Sequence, residues 1–300
     1  MPSRIQSIAY YDMAQYDAVI DEIYQELSAR SITNIADRIA WISGYFLGKP
    51  YLSGALGEGP QGDFDQNPLY RTDAFDCVTL INTVLAVALT QNSKDFLSCL
   101  LRLNYYEADP HYHKRFHFVS IDWNRENMKQ GRVQEVTTKI QGATCHWAAA
   151  EIDRPNWVRY RDYSDIKLLH PISELEETAL LEKLHALAIT LTCEKSEFPY
   201  LPLTELFING KPQRQLFRQI PHGSIIEIVR PNWNLRDKIG TNLNISHVGF
   251  ALWVKNKLIF REASSLEKKV IDVPLESYLI NYLTSATVKG IAILAVTEKT

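Results

Sequence analysis

The sequence predicts an α+β fold in which a buried helix packs on a C-terminal antiparallel sheet. Three observations carry this. Apolar residues at helical spacing fill the first third of the chain; one run, Cys77 to Leu89, is apolar nearly all round; and the last third is a series of short strand-like runs bounded by turn residues. Helices first and strands last is the order of an α+β domain, not of alternating βαβ units. The 300 residues are 46% apolar and 22% charged, enough to bury a full core and unlike a disordered chain.

Within residues 12–47, Ile20, Ile23, Tyr24 and Leu27 keep helical spacing, and so do Ile35, Ile39, Ile42 and Phe46. Ser31 or Thr33-Asn34 can cap the second run, and Gly48-Lys49-Pro50 ends it. Residues 50–72, rich in Gly, Pro, Asp and Asn, read as a loop leading to the helix that starts at Cys77. That helix carries Val78, Ile81, Leu85 and Ala88 on one face and Leu80, Val84 and Val87 on another, so it is expected to be interior. A further helix is expected at about Ser93–Leu103 and a charged one at about Ser173–Ile189; residues 104–170 between them show no sustained period. Strands are expected at Ser224–Val229, Ser246–Val254, Leu258–Arg261, Val270–Val273 and Lys289–Val296. With no internal repeat or low-complexity linker, the chain reads as a single domain, 1–300, with N-terminal helices in 1–48 and an insertion over 104–170.

Several function classes are disfavoured. The net charge of −3 is not that of a nucleic-acid protein with a basic stripe. The four cysteines, Cys77, Cys99, Cys145 and Cys193, are dispersed without a CxxC, so free thiols are expected, with neither a disulfide framework nor a cysteine-rich zinc site. Met1–Tyr10 has no apolar h-region, and Val78–Leu89 is about half a membrane span. No membrane span is expected and the cytoplasm is the default compartment, although a trimmed leader would leave the same appearance.

Chemistry concentrates at Cys77. Asp76 is a natural N-cap, and a thiol in the first turn of a helix is favoured as thiolate by the unpaired backbone N–H groups and the helix dipole. Far downstream, His247 begins a strand on which Gly249, Ala251 and Trp253 share its face while Val248, Phe250, Leu252 and Val254 form a core face. The small residues on the histidine face are expected to admit the cysteine helix. Lys255-Asn256 reads as a hairpin tip. A two-residue tip sets Glu262 on the histidine face, diagonal to His247 and able to orient the ring; a three-residue tip turns it to the other face. Cys99, Cys145 and Cys193 are expected to be small core residues. His111, His113 and His117 are a rival metal-ligand set, with no HExxH motif to support it. The aromatics Tyr105, Tyr106, Tyr112, Phe116, Trp123, Trp147 and Trp157 fit either a glycan cleft or the core of the insertion.

Pro50-Tyr51 with Gly54, Asp76-Cys77-Val78-Thr79, Pro221-His222-Gly223-Ser224 and Ser246-His247-Val248-Gly249 occur in that order. The set resembles the NlpC-type papain-like cysteine peptidases and amidases. The longer Asp-Cys-Val-Thr form, Arg115-Phe116-His117-Phe118 with Asp122-Trp123, and Ala263-Ser264-Ser265 resemble its N-acetylmuramoyl-L-alanine amidase-like branch. The resemblance, over about residues 40–296, implies a papain-like core with Cys77 as nucleophile, His247 as base and Tyr51 near the thiol in the oxyanion region; Glu262 stands where members of that superfamily usually carry a small polar orienter, often histidine. A glutamate at 262 would also favour the charged imidazolium. Arg115, His117, Asp122, Trp123 and Ser246 become substrate-binding candidates, and 104–170 a recognition insertion. The implied substrate is a peptidoglycan fragment (a muropeptide) cut at the muramoyl–L-alanine amide, or, as in sister enzymes, at the γ-D-glutamyl–diamino acid bond; a relative that binds without cutting is the non-catalytic alternative. No cofactor or metal is implied, and the resemblance favours the periplasm or cell envelope if a leader was trimmed.

Overall fold

The computed structural model describes residues 4–297, so Met1–Ser3 of the stretch screened for a leader lie outside it. Four helices open the chain: α1 (Met13–Ala29), α2 (Ile35–Tyr45), α3 (Cys77–Ala88) and α4 (Ser93–Asn104). Each begins at a side-chain cap, Asp12, Asn34, Asp76 and Asn92 respectively, whose oxygen accepts first-turn N–H groups. Short helices α5 (Asn124–Lys129) and α6 (Arg154–Arg159) precede α7 (Glu174–Ala186), which starts in a Ser173/Glu176 capping box.

The strands are β1 (Gln6–Ser7), β2 (Val133–Glu135), β3 (His146–Asp153), β4 (Lys167–Leu168), β5 (Cys193–Pro202), β6 (Phe207–Ile208), β7 (Lys211–Pro212), β8 (Ser224–Asn234), β9 (Asn242–Val254), β10 (Lys257–Ser264), β11 (Lys269–Pro274) and β12 (Gly290–Val296). Eight form one antiparallel sheet in the order β11-β10-β9-β8-β12-β5-β3, with β2 pairing β12. The architecture is a mixed α/β fold around this sheet. The five expected strands are its centre and one end. The other end departs from the expectation: β2 and β3 arise in the stretch read as an irregular insertion, and β5 follows α7. Ala148, Ala150 and Ile152 are the buried positions of β3, and β5 carries two prolines and a charged first half. Alanine, proline and charge are weak strand signals, so tertiary pairing decides here.

Both faces of the sheet are covered. Val248, Phe250 and Leu252 pack with α1–α4 in one apolar cluster, and Ala251, Phe260, Ile226, Ile228 and Ile293 pack with Leu275, Leu279 and Phe217 in another. The small residues of the histidine face therefore do not admit helix α3. A Cβ on Gly249 would lie 2.5 Å from the Phe260 ring, so this glycine makes room for Phe260 of the neighbouring strand.

The β9–β10 turn sets the register on which the site depends. Lys255 and Asn256 both have positive φ (47° and 63°), as a two-residue type I′ turn requires, and Val254 pairs with Lys257 and Phe250 with Arg261. Glu262 thus shares the face of His247. Arg261 fixes the hairpin to the helices: its guanidinium pairs with Asp272 (2.6 and 2.7 Å) and donates to Ala40 O and Ser43 Oγ of α2. No helix among the described residues is long and apolar enough to cross a membrane.

Candidate active site

Cys77 is the first residue of α3. Asp76 accepts Thr79 N–H (2.8 Å) while Thr79 Oγ1 accepts Asp76 N–H (2.9 Å), a reciprocal box that fixes the helix start. Thr79 N–H is consumed by this box, and the N–H groups of Cys77 and Val78 have no partner inside the helix. At the other end, Arg38 donates to the carbonyls of Val87, Ala88 and Thr90 (2.6–3.0 Å) and places a cation at the negative pole of the helix.

The segment before α3 is stitched to the sheet edge. Tyr51 N–H reaches Lys268 O, Leu52 N–H reaches Phe75 O, Phe75 N–H reaches Pro50 O, and Ala55 N–H reaches the Asp76 carboxylate. Tyr51 is thereby held beside the thiol. Burial pushes its phenol above the ordinary value, and the charges of Cys77 and Asp76 push the same way.

His247 is the centre of the constellation. Its Nε2 makes an ion-pair contact with Glu262 Oε2, and the ring also hydrogen-bonds Cys77. Burial opposes charging of the ring, but Cys77 and Glu262 each favour it by charge and by hydrogen bonding, and together they push His247 up to about 10. A charged imidazolium is the state this geometry favours. Tyr278, on the short helix Leu275–Ile280, stacks on His247 (ring centroids 6.5 Å, 24°), and Phe260 meets the same ring edge-on at 5.9 Å. Sequence reasoning missed Tyr278; only its helical spacing to Tyr282 marks it, and that spacing does not point to the site.

The remaining candidates sit elsewhere in the fold. Arg115 is largely buried and bridges Glu58 and Asp65, and burial with Asp65 pushes Glu58 up to about 7 against the pull of Arg115. His117 donates from Nε2 to Tyr112 O (2.7 Å); burial, then the charge of Arg115, holds it well below the usual histidine range. Asp122 is fully buried and paired with Arg154, Tyr106 Oη and Phe118 N–H. Trp123 is buried and donates to Asn82 Oδ1 of α3. All four side chains are engaged inside the molecule; Arg115 links this segment to the loop before Cys77, and Trp123 links it to α3. Ser246 accepts from Arg230 Nε (3.1 Å) and donates to Ile228 O.

His111 and His113 lie 5.8 Å apart at the surface, whereas His117 turns inward; among the described residues no three His, Cys, Asp or Glu side chains converge as a metal-ion site. All four cysteines are free; Cys99 is half-buried and packs against the helical core as expected, whereas Cys145 is only half-buried and Cys193 is exposed, so those two are not the core residues expected of them. Tyr105, Tyr112 and Trp123 are core, while Trp147 is 63% exposed on β3.

A family model described as AmiA-like, N-acetylmuramoyl-L-alanine amidase-like, matches residues 41–286. Among solved structures, a DUF1460-family protein from Legionella pneumophila str. Philadelphia 1 is 43% identical over 95% of each chain, with a TM-score of 0.91. An N-acetylmuramoyl-L-alanine amidase from Bacteroides uniformis is 24% identical, covering 88% of this chain and 99% of its own with a TM-score of 0.61, a likeness of fold. No curated protein sequence matches. The family match spans Tyr51, Cys77, His247, Glu262 and every strand of the main sheet except β12, and the chain belongs to the N-acetylmuramoyl-L-alanine amidase-like family.

Proposed function

We propose that this chain is a thiol amidase of peptidoglycan fragments, with a papain-like core of the NlpC type, that hydrolyses the amide between the lactyl group of muramic acid and L-alanine. The observation that carries the mechanism is the buried contact of His247 with both Cys77 and Glu262. Family membership and the amidase name of the Bacteroides uniformis protein support the substrate class.

In this reading the Cys77 thiolate attacks the lactyl carbonyl, forming a C–S bond. The resulting oxyanion is met by the N–H groups at the start of α3, with Tyr51 closing that side. His247, charged and oriented by Glu262, gives its proton to the departing L-alanine nitrogen as the C–N bond breaks. A water molecule, deprotonated by the now neutral imidazole, attacks the thioester and releases the muramic acid with its lactyl carboxylate. No step requires a metal or organic cofactor.

Residues 1–300 form a single catalytic domain on this proposal, and 104–170 contributes to recognition indirectly, with Arg115 shaping the loop before Cys77, Trp123 bracing α3, His117 and Asp122 ordering the insertion itself, and Ser246 beside the histidine. The test is mass-spectrometric analysis of defined muropeptides incubated with the chain and with Cys77→Ala. Release of free stem peptide by the first and not by the second is expected. Equal release by both would remove Cys77 from the mechanism, and loss of activity to a chelator but not to iodoacetamide would overturn thiol chemistry.

A further inference from the structure

Beside the segment that positions Tyr51 lies a cavity of about 590 Å³ walled by Tyr10, Tyr11, Tyr16, Ser53, Gly54 and Lys167, among others. Its charges are unequally used. Arg71 is held by both oxygens of Asp73 (2.8 and 2.9 Å) and lies over the Tyr16 ring. Asp12 caps α1 through Ala14 N–H. Lys167 has no acidic partner and no side-chain hydrogen bond among the described residues.

Lys167 is nevertheless closely placed. Its backbone is fixed on two sides: β4 pairs with β1, its N–H donates to Phe64 O (2.8 Å), and its C=O accepts Gln66 N–H (2.7 Å). The half-buried side chain extends over Gly54, where a Cβ would come within 2.7 Å of Nζ. Gly54 also has φ +65°, so both its conformation and the approach of the ammonium favour glycine there. Next along the chain, Ala55 N–H bonds the Asp76 carboxylate that caps the helix of Cys77. The cation therefore stands against the same stitched segment that carries Tyr51 and bonds the Asp76 cap, in a pocket partly walled by tyrosines.

We infer that this cavity is a carboxylate subsite, in which the Lys167 ammonium pairs with a free carboxylate of the substrate's peptide stem. The inference rests on the muropeptide reading above. With the lactyl carbonyl at Cys77, the glutamate α-carboxylate lies about two residues along the stem, a span of about 7 Å for an extended chain. The substrate class becomes muropeptides whose stem glutamate keeps that carboxylate free, and an amidated stem leaves Lys167 without its counter-charge.

The test uses the full chain carrying Cys77→Ala. Calorimetry compares the γ-methylamide of N-acetylmuramoyl-L-alanyl-D-glutamate, whose α-carboxylate is its one free carboxylate, with the corresponding α-amide, the isoglutamine compound. A preference for the acid of about tenfold or more is expected, the usual worth of a hydrogen bond to a charged group. Lys167→Met is expected to reduce that preference to within about threefold, and Lys167→Arg to keep most of it. Equal affinity for acid and amide, retention of the preference by K167M with an unchanged melting profile, or no binding of either compound would overturn the subsite. Turnover by the unmodified chain reports separately: cleavage without dependence on Lys167 removes only the subsite, whereas carboxylate-dependent binding without any cleavage removes the amidase reading and leaves the subsite standing.

Discussion

Glu262→Gln isolates the contribution of one charge to the active-site pair. The substitution keeps the shape and one acceptor oxygen of the side chain, so the ring of His247 retains a hydrogen-bond partner while losing an anion. In the native chain burial works against the charged ring, yet Cys77 and Glu262 carry it up to about 10, against an ordinary value of 6.5. An adjacent opposite charge commonly moves a pKa by about 1–3. Removing Glu262's charge should then bring His247 to roughly 7–9, a loss of about 1.4 kcal/mol of ion-pair stabilisation for each pKa unit. Near neutral pH the ring stays mostly charged, and kcat should fall about 10- to 100-fold through lost orientation and charge, with KM little changed. At higher pH the deficit should deepen, because the alkaline limb of the rate profile moves down with the imidazolium.

Two measurements check this together: kcat/KM on a defined muropeptide from about pH 6 to about pH 10, and the titration of the His247 ring by NMR in both proteins. If the two rate profiles superimpose, or if the ring titrates at the same pH with and without the carboxylate, Glu262 is not the group that holds His247 charged.

Folding stability should carry the same signature. His247 is raised above its unfolded value, so its contribution is complete below about pH 6.5 and is lost as pH rises through about 10, visible as a falling denaturation midpoint in urea. Glu227, buried in β8 against Asn124, is pushed by burial to about 8 from an ordinary 4.5, so native stability also declines with rising pH between those values. Glu227→Gln mimics the neutral acid and should flatten that part of the decline, gaining about 1–3 kcal/mol near neutrality; an unchanged pH slope would show that Glu227 is charged in the fold. Arg115→Met strands Glu58 and Asp65 and should cost about 3–5 kcal/mol, read by calorimetry, and a loss below about 1 kcal/mol would mean that the cluster is solvated. Asp76→Ala removes the cap of α3 and the acceptor of Ala55 N–H, so a stability loss of about 1 kcal/mol should accompany a larger proportional loss of kcat; a purely thermal effect would separate the cap from the site.

The parts of this site that were legible in the sequence are those set by local chemistry. The helix start at Cys77 is announced by Asp76 and Thr79 three residues apart, and the side on which Glu262 falls follows from a two-residue turn at Lys255-Asn256. What was not legible depends on partners far apart in the chain. Arg115 meets Glu58 and Asp65 across 57 and 50 residues, and Asp122 meets Arg154 across 32, so charged residues in an aperiodic stretch gave no sign that they would be buried. Gly249 illustrates the same limit at shorter range. Its small size reads as room for the cysteine helix, and only the β10 register shows that Phe260 fills it instead.

The arrangement also explains how the proposed reactive pair would tolerate its own electrostatic cost. A buried ion pair survives only where geometry is enforced and the remaining polar atoms are satisfied. Here both elements are held independently of the pair itself: α3 by Asp76 at one end and Arg38 at the other, and the hairpin bearing His247 and Glu262 by Arg261 and Asp272 with a tie to α2. Tyr51 alone comes from a loop, and that loop is bonded as though it were another strand. Substitutions at these supports should therefore lower turnover without contacting substrate, while changes in substrate preference should map to the wall made by residues 7–12, Gly54 and Lys167. On the proposed mechanism, the supports that position the reactive groups and the wall that would select substrate are thus separate parts of the fold.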